Sequence, residues 1–382
     1  TQFTMETEDT DDLEYDPIKD CSPIESKSKK KTVENIYFAD FESDPNTSPH
    51  TAYMIGYRKL DSIESEVIVG LDCAKKFLNK LPDKSTVYFH NLGFDIQFII
   101  PHASRILSIT SEGSNCWQAT ILFFKKVLKF RCSYKLIMSG IKDFPKMFGL
   151  KSYKDVMPYT YYSVDHFNQK GRRTLVYDKI SNAIKHLKSK EDEEQFIKNI
   201  QDNEFMQHPN DPTMFKPYAY ASFYCSKDVD ILHDGWKKFR QLVNQIAGVD
   251  ITNFLTPASI AQEYMIKNGV YEGCLQLANN PREFIQKCCY GGRVMTRENK
   301  KWHVTKRLQD YDAVSLYPSA MRRMKGYLKG KPKIIPDHKL NMKFLNEQDG
   351  YFVKIKINKV GIHRPFPLIC IRQDNIKQYT ND

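Results

Sequence analysis

VENIYFADFE, residues 33–42, opens the ordered body of this chain. The short apolar run Ile36-Tyr37-Phe38-Ala39 is rich in β-formers and predicts a buried strand. Side chains alternate along a strand, so Asp40 and Glu42 share one face while Phe41 turns the other way into a core. Two carboxylates on one face near a strand end suit hard divalent cations, which take oxygen ligands. Alone the pairing is a weak signal, since with acids at 46 of 382 positions about five or six acid-x-acid triplets arise by chance. Asp12-Leu13-Glu14 has the same spacing with no strand around it.

Working outward, TAYMIGYRKL and EVIVGL predict neighbouring strands, and CAKKFLNKL after Asp72 a capped helix. STVYFH predicts another strand, DIQFII the start of a helix, and QATILFFKKVLKFRCS further strand. Strands interspersed with helices predict an α/β fold or a mixed sheet. Residues 176–204 form a charged helical stretch and 205–217 a loop, together a surface insertion. A long helix is expected over 218–244. Thr256-Pro257 and Asn280-Pro281 have the cap-then-Pro form of helix starts. RLQDYDAV is expected as a strand leading into a helix around YPSAMRRM, with YFVKIKI and PLICIR as late strands. The domain boundary is expected near 245–255.

The charge is unevenly placed. The 382 residues carry a formal +11, yet residues 1–25 hold nine acids against one Lys, which leaves +19 on the rest. Residues 1–34 are therefore expected to be a disordered charged tail. A body this basic favours a polyanionic partner. No run of eighteen apolar residues occurs, so no membrane span is expected, and the first residues resemble no secretory signal. Nine cysteines without a C-x-x-C pair point to reduced thiols in an intracellular compartment, with no zinc site.

Other acids join the first pair. VYFHNLGFDIQFII, residues 87–100, is a strand, a tight turn and an apolar helix with Asp95 at the junction; His90 and Asn91 stand beside it. In SFYCSKDVDIL, residues 222–232, Tyr224 and Asp228 stack at i and i+4 on one helix face, while Asp230 points elsewhere as solvated surface. Asp40, Glu42, Asp95 and Asp228 together would hold two Mg²⁺ (or Mn²⁺) ions about 3.5–4 Å apart for phosphodiester hydrolysis. Tyr224 would then aim the attacking water.

DFE, HNLGFD and YCSKD, in that order, resemble the three exonuclease motifs of proofreading DNA polymerases. YFHNLGFD is most similar to the protein-primed family B DNA polymerases of phages, adenoviruses, linear plasmids and virus-like transposons. The resemblance implies an RNase H-like 3′→5′ exonuclease domain over 35–250, with Asp40, Glu42, Asp95 and Asp228 as metal ligands and Tyr224 orienting water. It implies that Ser43, His90, Asn91 and Phe94 hold a single-stranded 3′ end, where Phe94 stacks on a base. Lys154-Asp155-Val156-Met157 fits the family's Lys-x-x-hydrophobic pattern, implying electrostatic support from Lys154 and a strand contact by Tyr159. Ser133 fits a further DNA-binding motif, in which Tyr134 replaces the family Leu.

LQDYDAVSLYPSAM, residues 308–321, matches the first palm motif of the same family through Asp312, Ser315, Leu316, Tyr317 and Pro318. By resemblance Asp312 is catalytic and carries metal, Ser315 and Leu316 meet the nucleotide, and Tyr317 screens against a 2′-OH. Tyr290-Gly291-Gly292-Arg293 resembles the Tyr-x-Gly-Gly linker that coordinates DNA between two active sites, with Cys289 at the family Tyr position. Residues 251–382 are thus expected as linker and an incomplete palm, because no fingers motif and no second palm carboxylate pair follow. The expected function is a DNA-directed DNA polymerase with proofreading, acting on a single-stranded 3′ end and a primer-template, with dNTP and a terminal protein primer as partners of a complete enzyme. The chain as given is expected not to extend a primer. A stand-alone 3′→5′ exonuclease and a silent nucleic-acid-binding remnant of a mobile element are the alternatives.

Overall fold

The computed structural model describes residues 16–26, 35–289, 292–324, 326–355, 357–373 and 376–381. The chain divides into two compact units, Ser26–Asn268 on one side and Thr1–Glu25 with Gly269–Asp382 on the other. Strand β1 (Cys21–Pro23) falls in the latter. The Ser26–Asn268 unit runs through β2 (Ile36–Asp44), β3 (Thr51–Lys59), β4 (Glu66–Val69), α1 (Cys73–Lys80), β5 (Thr86–Phe89), α2 (Leu92–Ile99), β6 (Arg105–Glu112), β7 (Asn115–Phe123) and β8 (Lys126–Cys132). It continues with α3 (Phe144–Phe148), β9 (Asp178–Lys179), α4 (Ile180–Ile184), α5 (Lys190–Gln201), β10 (Met214–Phe215), α6 (Pro217–Ala247) and α7 (Pro257–Lys267).

Seven strands form one mixed sheet in the order β4-β3-β2-β5-β8-β7-β6. Its centre is parallel, β2 to β5 to β8, and both flanks are antiparallel. A parallel centre needs cover on both faces. Ala39 and Phe41 of β2 bury against Phe77 and Leu78 of α1 and Phe98 and Ile99 of α2. Ile36 and Phe38, of the opposite parity, bury against Val229, Leu232 and Trp236 of α6. Each such fully buried aromatic or aliphatic side chain stabilises the fold by about 1.5–3 kcal/mol. Asp40 and Glu42 therefore belong to the α6 face, as the alternation predicts.

Gly56 lets α6 lie close on that face. It sits opposite Asp40 on β3, and a Cβ there would stand 2.8 Å from Cys225 Sγ and 3.2 Å from the Cys225 carbonyl oxygen. Gly235 does the same for α3, since a Cβ would come within 2.4 Å of the Phe144 ring.

Several expectations need correction. Residues 176–217 are no mere surface insertion: Phe196, Ile200, Met206 and Phe215 bury with Tyr53, Tyr218 and Tyr220 in one cluster. The acid-rich start of α5 hides a buried stripe of Phe196, Asn199 and Ile200 at i, i+3 and i+4. Asp72 leads α1 without a side-chain cap, its carboxylate pairing with Lys76 at 2.9 Å instead. Asp230 is no solvated acid, because Arg58 Nη1 holds it at 2.7 Å. Strand-like 118–133 is the hairpin β7–β8, and β6 adds an unforeseen edge. The first unit extends past 245–255 through α7, which a Thr256–Ser259 capping box starts and Ile260 anchors to the α6 core.

In the other unit the expected tail is partly built. β1 pairs antiparallel with β11 (Leu275–Leu277), and Asn279 Nδ2 donates to Asp20 Oδ1 at 2.6 Å. The rest of the expected tail, 1–15 and 27–34, lies outside the described residues. Then follow α8 (Asn279–Cys288), α9 (Leu316–Arg323), α10 (Met342–Asn346) and the hairpin β12 (Ile369–Gln373) with β13 (Ile376–Thr380). Residues 307–314 are irregular rather than a strand, with Leu308, Tyr311 and Val314 exposed and, among the described residues, no partner strand. The described part of YFVKIKI is irregular as well. Among the described residues no helix is long and apolar enough to cross a membrane.

Candidate active site

Three elements bring four carboxylates together. β2 presents Asp40 and Glu42 toward α6, and α6 presents Asp228 one turn after Tyr224. Asp95 enters over the end of the sheet from α2, whose start at Asn91 adopts a left-handed conformation (φ 77°) that folds the chain sharply off β5. The Asp95 carboxylate then accepts the backbone N–H of Phe41, the residue between Asp40 and Glu42, at 3.4 Å. Glu42, Asp95 and Asp228 are buried.

Their electrostatics show the convergence. Burial pushes the Asp40 carboxyl up to about 7, with repulsion from Asp228 added and Lys154 opposing. Burial raises Glu42 as well, with Asp40, Asp228 and Asp95 each adding to it. Asp95 is raised by burial and by Asp40, and Asp228 by burial against the pull of Lys154. Like charges crowded in a dry site favour the protonated form.

Lys154 is the counter-charge. Its ammonium lies 2.5 Å from Asp228 Oδ2 and 5.2 Å from the centre of the Tyr224 ring. Asp228 raises its proton affinity despite the cost of burial. Tyr224 is buried and shares a 2.6 Å hydrogen bond with the Tyr159 hydroxyl. Burial first, and Asp228 next, drive the Tyr224 hydroxyl far above the ordinary phenol range, so it stays protonated.

Asp228 Oδ1 is buried with no hydrogen-bond partner. An orphaned anionic oxygen beside three more carboxylates is a donor set suited to Mg²⁺ or Mn²⁺. Among the described residues no three His, Cys, Asp or Glu side chains form a closed ligand cluster. The donor chemistry fits a divalent cation, then, while the carboxylates are not drawn in around one.

The expected strand contacts fall into two groups. Ser43 Oγ lies 3.4 Å from His50 Nδ1, and the His50 ring meets Phe94 edge-on at 5.5 Å. His50, in the turn after β2, was missed because a lone His in a polar loop carries no signal of its own. Phe94 is 38% exposed and Tyr159 46%, so both offer a ring face to solvent. His90 and Ser133 form the second group, Nδ1 to Oγ at 3.0 Å, with the imidazole edge-on to Tyr134 and Phe144. Burial pulls His90 down to about 4, which makes it a neutral packing group at pH 7. Asn91 is exposed at the head of α2.

The other expected residues lie in the second unit. Tyr290 and Gly291 fall outside the described residues. A Cβ on Gly292 would stand 3.1 Å from the Tyr317 hydroxyl, so Gly292 and the α9 start approach closely. Arg293 donates to the Pro367 carbonyl at 3.1 Å and lies over the Phe366 ring. Asp312, Ser315, Leu316 and Tyr317 are all exposed, with Ser315 left-handed (φ 50°) ahead of α9.

A family model described as DNA polymerase type B, organellar and viral, matches residues 78–381. A probable DNA polymerase of Ascobolus immersus is 25% identical over 324 residues, covering 78% of this chain and 25% of that protein. The chain thus spans about a quarter of the length of that relative. Among solved structures, phi29 DNA polymerase complexed with single-stranded DNA gives a TM-score of 0.44 at 16% identity, over 68% of this chain and 40% of that one. Phi29 DNA polymerase with primer-template DNA and incoming nucleotide gives 0.43 at 16% identity, over 69% and 40%. The match over 78–381 covers most of the chain, and the chain belongs to the organellar and viral family of type B DNA polymerases.

Proposed function

We propose that this chain is the proofreading part of a protein-primed, DNA-directed DNA polymerase, in which the Ser26–Asn268 unit is an RNase H-like 3′→5′ exonuclease. The observation that carries this reading is the convergence of four carboxylates from three separate elements: Asp40 and Glu42 on β2, Asp228 on α6 and Asp95 reaching over the sheet end from α2 to the Phe41 N–H, close enough for each to repel another. The substrate is a frayed single-stranded 3′ end, and the basic body of the chain suits its phosphates.

Asp40, Glu42, Asp95 and Asp228 would hold two divalent cations, which supply an acidified water and charge relief at the departing 3′ oxygen. Tyr224 donates its hydroxyl proton as a hydrogen bond and so orients the water, while Tyr159 fixes the Tyr224 oxygen. Lys154 pulls Asp228 toward its ionised form against the effect of burial and adds positive charge where the phosphorane becomes more negative. Phe94 and Tyr159 present rings for base stacking, and Ser43 with His50 flanks Phe94.

Residues 269–381 are read as the linker and the beginning of the palm, with Asp312 as a metal-binding carboxylate and Tyr317 as the sugar filter. The close approach of Gly292 to Tyr317 supports that reading. Primer-template DNA, dNTP and a terminal protein are the partners proposed for the complete enzyme.

Purified chain with Mg²⁺ should shorten 5′-labelled single-stranded DNA from its 3′ end, and EDTA should stop it. An Asp40→Ala/Glu42→Ala variant that trims at the parent rate overturns the assignment.

A further inference from the structure

Lys154 sits on a stretch, residues 151–158, that has no helix or strand to hold it. What holds it is a set of side chains from elsewhere. Asp155, the next residue, has a side chain only 7% exposed, paired with Lys227 Nζ. Lys227 in turn precedes Asp228. Two Lys-Asp dipeptides therefore face each other head to tail: Lys154 on Asp228, and Asp155 on Lys227.

The second pair is braced by α5. Asn199, buried at 6%, donates to Asp155 Oδ1 at 2.9 Å and lies 3.3 Å from the Tyr220 hydroxyl. Tyr220 donates to the Val156 carbonyl at 2.8 Å. Phe196 and Ile200, either side of Asn199, bury in the same cluster as Met157.

We propose that Asp155, Lys227 and Asn199 are positioning residues, a reciprocal lock through which the 176–217 segment sets the Lys154 ammonium on Asp228. This rests on the nuclease reading for its catalytic consequence, but not for its geometry. A lysine arm on an irregular segment samples many rotamers, and a displacement of about 1 Å at a catalytic charge can cost as much as 100-fold in rate. The Asp155 carboxylate, little exposed, acts on Asp228, so loss of its Lys227 partner leaves an uncompensated anion that competes for the Lys154 ammonium. The segment that looked like an insertion thereby becomes part of the site's frame.

The test uses the full 382-residue chain with Lys227→Met and Asn199→Leu, and Lys227→Arg as the conservative control. Two readouts are taken: access of Lys154 to an amine-acylating reagent, quantified by peptide mass spectrometry, and the kcat and KM for trimming single-stranded DNA. Circular dichroism first establishes that each variant is folded, and the labelling of a remote lysine, Lys185, serves as an internal standard. Lys154 labelling should rise about five- to tenfold in Lys227→Met and Asn199→Leu and return toward the parent level in Lys227→Arg. Over the same series kcat should fall about tenfold with KM changed less than about twofold. Folded variants in which Lys154 is acylated at the parent rate overturn the lock. Raised labelling in a chain whose parent shows no nuclease activity keeps the lock and removes the nuclease reading.

Discussion

The two units put their acids in opposite surroundings. In Ser26–Asn268, Glu42 and Asp228 are buried between a seven-stranded sheet and α6, Asp95 is buried where α2 reaches over the sheet end, and each alters the proton affinity of another. In the Gly269–Asp382 segment, Asp312 and Tyr317 carry an equally distinctive sequence pattern yet lie exposed on irregular chain and a short helix. A motif specifies which side chains are available; burial on two sides decides whether their chemistry changes. Substitutions in the first group should therefore be felt in both activity and stability, and those in the second hardly at all in stability.

The largest expected effect is on trimming. Asp40→Ala with Glu42→Ala should lower the exonuclease rate by about 10³-fold or more, since it strips the oxygen donors for the cations. The same variant should be more resistant to urea than the parent, because it relieves buried repulsion; an unchanged or lower stability would defeat the account of the first unit as a cluster of repelling acids.

Gly56→Val comes next. The added carbons collide with Cys225 and Val229 and push α6 from β2, at a cost of about 2–3 kcal/mol in urea denaturation. Trimming should fall as well, since Asp228 and Tyr224 travel with α6.

A smaller effect is expected with pH. The Asp40 carboxyl is held near 7 in the folded chain, and Glu42, Asp95 and Asp228 are raised too. Between the unfolded carboxyl value and that level the folded state binds more protons than the unfolded state, so stability falls as pH rises. In EDTA the stability read from urea denaturation should thus drop between about pH 5 and pH 7, by an amount on the order of 1–2 kcal/mol. Asp40→Asn should flatten the slope, and Mg²⁺ should restore stability at the higher pH. A midpoint that climbs over this window would reverse the sign and defeat the clustered-carboxylate picture.

Least of all, Tyr317→Ala should shift stability by under about 0.5 kcal/mol, because its ring is 69% exposed. A larger loss in thermal melting would mean that α9 is packed after all.

Much of the candidate site was legible before the fold. Asp40 and Glu42 follow from strand alternation, Tyr224 and Asp228 from helical spacing, and Asp95 from a turn between a strand and an apolar helix. Lys154 was legible only through family resemblance, since a single lysine near Tyr153 has no pattern of its own. Asp155, Lys227 and Asn199 were not legible at all, because their partners are 72 and 44 residues away in the chain. The 176–217 segment misled for a related reason: its acids dominate the composition, while only three positions on α5 carry the burial.

What the sequence by itself determined is local and periodic: which face each side chain takes, where helices begin, and which acids are chemically fit for a divalent cation. These follow from backbone geometry, which repeats every two or 3.6 residues and is readable in short windows. Only the tertiary structure decided that Asp40, Asp95 and Asp228 share one dry site, that Gly56 admits α6 to it, and that Lys154 is locked there by a second Lys-Asp pair. Those outcomes depend on contacts between distant segments, and the energy of a buried charge depends on everything packed around it.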